Sequence, residues 1–101
     1  MTTVAYQSKQ HTISTVVHAI DDFGFSDQEM LRMELATIYT KGDILITYDG
    51  EVSPSASPEY GIYLASGTIF SLTGHTNLDQ LEMIRAGTTD SLVTVTLEYG
   101  E

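Results

Sequence analysis

The three histidines have the widest choice of chemistry in this 101-residue chain. His11, His18 and His75 fall on three different predicted elements, and no two of them are four residues apart. A metal centre normally shows at least one local pair of ligands in the sequence. The pattern therefore predicts loop or surface histidines and no metal, with a two-histidine site assembled by the fold as the alternative.

Carboxylates are plentiful but form no recognisable catalytic or calcium-binding pattern. Asp21, Asp22, Asp27 and Glu29 lie close together, yet they lack the alternating spacing that surrounds one Ca²⁺ ion with oxygens, so helix or turn capping is the expected role. There is no G-x-S-x-G elbow, and the glycines fit turns better than a phosphate-binding loop. The sequence predicts a protein that is not an enzyme and needs no cofactor.

Three tyrosines surround one loop. Tyr48, Tyr60 and Tyr63 flank or follow residues 49–59, a stretch rich in proline and serine. The rings can pack in the core with their hydroxyls at the rim, or they can stack on a sugar or anchor a protein interface. Both readings remain open from the sequence.

Arg85 is one of only two arginines and lies in a short apolar segment. An unpaired buried guanidinium would be very costly, so we expect it to pair with Asp49, with Asp90, or with an acid across a subunit interface. If the pair is buried, Arg85→Ala is expected to cost about 2 to 4 kcal/mol.

Composition excludes several classes of function. The formal net charge is −10, which repels phosphate backbones and anionic headgroups, so neither nucleic acid nor a membrane surface is an expected partner. The chain contains no cysteine, and therefore has no disulfide framework or thiolate chemistry. Neither a signal peptide nor an apolar membrane span is recognisable, which predicts a soluble protein without a cleaved leader.

The length predicts one domain, and we expect it to occupy residues 11–101 behind a loose N-terminal arm at residues 1–10. Residues 12–20 are rich in β-branched side chains and predict a strand, which a Gly/Asp/Ser loop ends at residues 21–27.

Residues 27–39 fit two structures. Ser26 and Glu29 form a capping box ahead of a helical face, which favours a helix over residues 27–38. The same residues alternate, and the turn at 41–43 followed by an apolar strand favours a β-hairpin of residues 31–39 with 43–49. We prefer the hairpin.

The clearest strand is the last one, because its side chains alternate strictly. One face carries Val93, Val95, Leu97 and Tyr99, and the other carries Thr94, Thr96 and Glu98. Further short strands are predicted at 60–65, 68–73 and 81–85, with turns at 74–77 and 87–91. The count predicts an all-β fold, an antiparallel β-sandwich or jelly roll of seven to eight short strands.

Residues 31–99 resemble small virion proteins of tailed bacteriophages. The resemblance rests on Ile-Leu-Ile-Thr-Tyr-Asp-Gly at 44–50, Gly-Ile-Tyr-Leu-Ala-Ser-Gly at 61–67, Leu-Thr-Gly at 72–74, Ile-Arg-Ala-Gly-Thr-Thr-Asp at 84–90 and the alternating final strand. It implies a head decoration or cement protein, made in the host cytoplasm and located on the capsid exterior. The implied partners are the major capsid protein and further copies of the chain, with a homotrimer as the expected state.

A binding module is the alternative from another class. A carbohydrate- or receptor-binding β-sandwich of a tail fibre or host-recognition protein would use Tyr48, Tyr60 or Tyr63 as its platform.

Overall fold

Two four-stranded antiparallel sheets face each other in the computed structural model, which describes residues 4–100 and the side chains of residues 7–74 and 77–98. The strands are β1 (Val4–Ile13), β2 (His18–Ala19), β3 (Met33–Thr40), β4 (Ile44–Thr47), β5 (Ser55–Ala56), β6 (Glu59–Tyr60), β7 (Ile62–Leu64), β8 (Ile69–Thr73), β9 (Glu82–Arg85) and β10 (Ser91–Gly100). A 3-10 helix spans Ile20–Phe23, and two short helices, α1 (Asp27–Arg32) and α2 (His75–Asp79), complete the described elements.

The first sheet has the order β1-β10-β3-β8, and the second has the order β2-β9-β4-β7. At each position in this order, the two sheets carry strands that are consecutive in the chain: β1 and β2, β10 and β9, β3 and β4, and β8 and β7. This is the arrangement of an eight-stranded jelly roll, and it confirms the all-β sandwich predicted from the sequence. Strands β5 and β6 form a separate two-stranded hairpin.

The core lies between the sheets, and β10 shows how the sequence fills it. Val93, Val95 and Leu97 are fully buried, whereas Thr94, Thr96 and Glu98 are half-buried on the other face. The predicted alternation is confirmed for these residues, and the side chain of Tyr99 lies outside the described residues. The central strand β4 is buried at all four positions, which explains why its sequence is apolar without alternation.

The predicted loose arm is wrong for residues 4–10. They form most of β1, which pairs with β10 along ten residues from Val4↔Gly100 to Ile13↔Ser91. Pairing with a central strand ties this segment into the sheet, although its mixed composition gave no sign of a buried face. Residues 1–3 lie outside the described residues.

The ambiguous stretch contains both predicted elements, one after the other. Ser26 and Glu29 form the capping box: the Glu29 amide donates to Ser26 Oγ at 3.2 Å, and the Ser26 amide donates to Glu29 Oε1 at 2.8 Å. The helix α1 lasts only six residues before β3 begins at Met33.

The predicted hairpin is wrong, because β3 and β4 belong to different sheets. β3 pairs with β10 and β8, and the Lys41 amide just beyond it donates to the carbonyl of Leu92 at 3.0 Å. The turn at 41–43 then carries the chain across the sandwich. A Gly-Asp turn between two apolar strands looks the same in sequence whether it joins paired or facing strands.

Smaller differences concern element bounds. The strand predicted at 12–20 is divided into the end of β1, a crossing segment at 14–17, β2 and the start of the 3-10 helix. The turn predicted at 74–77 contains the start of α2, and the side chain of His75 lies outside the described residues. No helix over residues 4–100 is long and apolar enough to cross a membrane.

Candidate functional site

Strands β7 and β8 form one long border of the sandwich, which we call the uncharged edge. Residues 60–78, which contain both strands, include no Asp, Glu, Lys or Arg, although 18% of the chain is charged. Each strand is the last of its sheet, so its outer N–H and C=O groups face away from the ladder over the described residues. Natural proteins usually protect such borders with charges, proline, bulges or very short strands, and here only the shortness of β7 (three residues) and β8 (five residues) serves that purpose.

Apolar side chains are exposed along the uncharged edge. Ile69 is 67% exposed, Tyr63 is 49% exposed and Ile62 is 41% exposed. Tyr39 is the register partner of Ile69 on the neighbouring strand β3 and is also exposed. Together with the unpaired strand borders, these side chains make a surface suited to covering by another protein.

A groove opens beside the uncharged edge, where β4 approaches β7. It has a volume of about 300 Å³ and is lined by Ile46, Thr47, Tyr48, Asp49, Tyr60, Gly61 and Ile62. Tyr48 packs against the core and lies 6.5 Å from Phe70 between ring centroids, while Tyr60 is 45% exposed. The groove combines two aromatic rings with one carboxylate.

Gly61 allows β4 and β7 to approach each other closely. Its φ is +126°, and a Cβ at this position would lie 2.8 Å from the carbonyl oxygen of Ile46. Only glycine tolerates both conditions.

Asp49, at the polar end of the groove, does not pair with Arg85. Its carboxylate accepts the amides of Glu51 at 3.0 Å and Val52 at 3.3 Å. These two hydrogen bonds lower the pKa of Asp49, so its charge is maintained while it closes its own turn.

Tyr63 does not line this groove. Its hydroxyl donates to the carboxylate of Asp43, which also accepts the amide of Ser66 at 2.9 Å. The hydrogen bond to Tyr63 is the larger cause of a lowered Asp43 pKa, and the same bond raises the pKa of Tyr63. Asp43 therefore links the start of β4 with the turn between β7 and β8.

Arg85 pairs with Asp90, one of the two acids that the sequence offered. The distance from Nη1 to Oδ1 is 2.6 Å, and the two side chains are 26% and 47% exposed. The pair spans the connection between β9 and β10 and is only partly removed from water. A contact of Arg85 with another subunit stays a prediction.

The fold brings together an acid and two histidines that were predicted on different elements. His11 Nε2 lies 3.1 Å from His18 Nδ1, and His18 Nδ1 lies 3.6 Å from Asp22 Oδ2. We call this group the His11–His18–Asp22 cluster. The crossing segment between β1 and β2 places the two rings face to edge, with centroids 4.9 Å apart.

Two features of the sequence could have identified the His11–His18–Asp22 cluster, although the pattern predicted no metal. His18 and Asp22 are four residues apart, and His11 and His18 lie on either side of a short segment that can reverse the chain. The second feature has meaning only once β1 and β2 are known to face each other, which no local pattern shows.

No protein-family model matches the sequence, and no curated protein matches it either. Among solved structures, the chain is similar to one from Bacillus endospore appendages, which are described as disulfide-linked pili. The match has a TM-score of 0.47 and 13% identity, and covers 98% of this chain and 89% of the other. This chain contains no cysteine. A structural similarity this low carries no information about function, which must be argued from the site.

Proposed function

We propose that the chain is a non-enzymatic structural protein that assembles with further copies of itself through the uncharged edge. The observation that carries the proposal is the coincidence of two border strands that carry no charged residue with exposed Ile62, Tyr63 and Ile69. Burial of such side chains is the main favourable term in protein association.

The distribution of charge favours the uncharged edge as the surface where a second copy of the chain binds. Two copies that each carry a net charge of −10 repel each other over most of their surfaces. A contact made through residues 60–78 brings few acids against each other, because that stretch has none and the nearby Asp43 carboxylate accepts the hydroxyl of Tyr63.

The setting we propose is the exterior of a tailed-phage head, with the major capsid protein as the second partner. This part rests on the sequence resemblance over residues 31–99. The jelly-roll fold is found in viral capsid and lectin domains alike, so it favours neither setting by itself.

A decoration protein at a local three-fold of a head would be a trimer. In a trimer, the uncharged edge of each copy meets a different surface of the next copy. Antiparallel pairing of β8 with β8 of a second copy would instead close a two-fold dimer.

The test compares two lysine substitutions that change the net charge equally. Ile69→Lys places a charge on the uncharged edge, whereas Leu31→Lys places it on α1, where Leu31 is 74% exposed. Both residues are exposed enough that we expect stability changes within about 0.5 kcal/mol. Light scattering coupled to size-exclusion chromatography should show assembled wild type and Leu31→Lys, and a monomer of 11.1 kDa for Ile69→Lys.

A monomeric wild type at all concentrations would refute self-assembly. For the proposed setting, mixing the protein with undecorated heads and sedimenting them should give stoichiometric co-sedimentation, and no binding would remove the capsid from the proposal.

A second candidate function is carbohydrate binding in the groove. It is favoured by the two tyrosine rings beside Asp49, since aromatic faces stack on sugars and carboxylates accept their hydroxyl hydrogens. Tyr60→Ala should abolish saturable glycan binding. Tyr63→Ala is the matched control, because Tyr63 is similarly exposed, at 49% against 45% for Tyr60, but does not line this groove. Glycan binding that is insensitive to Tyr60→Ala would reject the groove as the site.

A further inference from the structure

We propose that the His11–His18–Asp22 cluster binds a divalent transition-metal ion of the zinc class. The candidate ligand atoms are one nitrogen from each imidazole and one carboxylate oxygen, and all three lie within 4.8 Å of one another. Imidazole with a carboxylate suits zinc, copper, nickel or iron, whereas calcium and magnesium prefer oxygen ligands alone.

The spacing of the ligand atoms is close to that of a coordination shell. With metal–ligand bonds of about 2.0–2.1 Å, neighbouring ligand atoms in octahedral or tetrahedral geometry are about 2.9 to 3.4 Å apart. The His11–His18 distance of 3.1 Å lies in this range, the His18–Asp22 distance of 3.6 Å is slightly above it, and all three atoms lie within 4.8 Å of one another. One ion bound by all three atoms requires the Asp22 carboxylate to move closer to the imidazoles.

Separate elements hold the ligands. His11 is on β1, His18 is on β2, and Asp22 is on the 3-10 helix that follows β2. Asp22 Oδ2 also accepts the amide of Ala19 at 3.1 Å, which fixes the carboxylate beside His18. The ring of Phe23, which is buried, lies 5.4 Å from the ring of His11 and limits the movement of that imidazole.

Ser14 is suited to orient His18. Its hydroxyl lies 3.0 Å from His18 Nε2, and its amide N lies 3.3 Å from the same nitrogen. When Nε2 carries the proton and donates to the Ser14 hydroxyl, Nδ1 is free to bind the ion. When the Ser14 amide donates to Nε2 instead, Nδ1 carries the proton and donates to His11. Outer hydrogen bonds of this kind select the tautomer at metal sites.

The access and location of the cluster fit a metal site. The His18 side chain is 14% exposed and the Asp22 side chain is 47% exposed, so the ion can enter from solvent while one ligand stays sheltered. The strongly negative chain attracts cations. A bound ion would join β1 of the first sheet to β2 of the second, at the border opposite the uncharged edge.

The experiment is a calorimetric titration of the untagged full chain with ZnCl₂ after treatment with a chelator. We expect one saturable zinc site per chain and a higher melting temperature with zinc. Asp22→Asn keeps an acceptor for the Ala19 amide but loses the charge, and should weaken zinc binding at least about tenfold, as should His18→Gln. Asp21→Asn and His75→Gln are the matched controls and should bind zinc as the wild type does.

Circular dichroism of each metal-free variant checks that it is folded, and Asp22→Asn decides the outcome if His18→Gln does not fold. Cobalt substituted for zinc should give visible absorption bands that are lost in Asp22→Asn. No saturable zinc binding, or binding that Asp22→Asn leaves unchanged, would overturn the proposal.

Discussion

The ion pair between Arg85 and Asp90 allows a quantitative test. Removing the arginine costs both the attraction to Asp90 and the packing of its methylene groups, and the exposure of the pair keeps the first of these small. The direct interaction is short, at 2.6 Å, but the side chains are 26% and 47% exposed. Pairs with this access to water contribute about 0.2 to 1 kcal/mol, well below the 2 to 4 kcal/mol expected for a buried pair. The half-buried methylene groups of Arg85 add about 0.8 kcal/mol for each one covered.

We therefore expect Arg85→Ala to lower the free energy of unfolding by about 1 to 2 kcal/mol, while the coupling with Asp90 is about 0.2 to 1 kcal/mol. A double-mutant cycle of Arg85→Ala with Asp90→Ala isolates the coupling. Urea unfolding followed by far-ultraviolet circular dichroism suits a chain without tryptophan. The coupling should fall further in about 1 M salt, where screening is strong. A coupling above about 2 kcal/mol that salt does not reduce would refute this reasoning and indicate that the pair is buried in an assembly.

Two more predictions concern buried or linked polar groups. Within the described residues, the buried hydroxyl of Thr47 has no hydrogen-bond partner, so Thr47→Val should raise the free energy of unfolding by about 1 kcal/mol in urea melts; a loss of stability would show that the hydroxyl is satisfied. Asp43 has a lowered pKa, so its contribution to stability is present above its ordinary value of 3.8 and is lost as the pH falls through the folded pKa. Tyr63 has a raised pKa, so its contribution is present below 10.0 and is lost as the pH rises through the folded pKa. Ultraviolet difference titration should show the Tyr63 pKa returning toward 10.0 in Asp43→Asn, and Tyr63→Phe identifies which signal belongs to Tyr63. An unchanged Tyr63 pKa in Asp43→Asn would refute the hydrogen bond between the two side chains.

The sequence predicted most of the features that depend on neighbouring residues. The alternation of β10 identified its buried face, and Ser26 with Glu29 favoured a helix that begins where α1 begins, although the hairpin was preferred. Both patterns are local, because side chains two apart on a strand, or three apart in a helix cap, interact whatever the rest of the chain does.

Features that depend on distant pairing were missed. The turn at 41–43 predicted a hairpin, because nothing in its residues says that β3 pairs with β10 instead of β4. The contact between His11 and His18 was missed for the same reason, because the two side chains meet only when β1 and β2 lie in facing sheets. A functional role for Tyr48, Tyr60 and Tyr63 stays a prediction, and which of them lines the groove depends on the register of β4 with β7.

The pairing of β1 with β10 has a kinetic consequence. Ser8 and Thr96 share a hydrogen bond of 2.7 Å across the ladder although they are 88 residues apart in sequence. Closing a loop of that length costs about 4 kcal/mol of chain entropy before any contact of the ladder forms. Because β10 also lies between β1 and β3, the first sheet cannot form until residues 91–100 join it. We therefore expect slow, cooperative folding with a high contact order, in which the second sheet can form before the first.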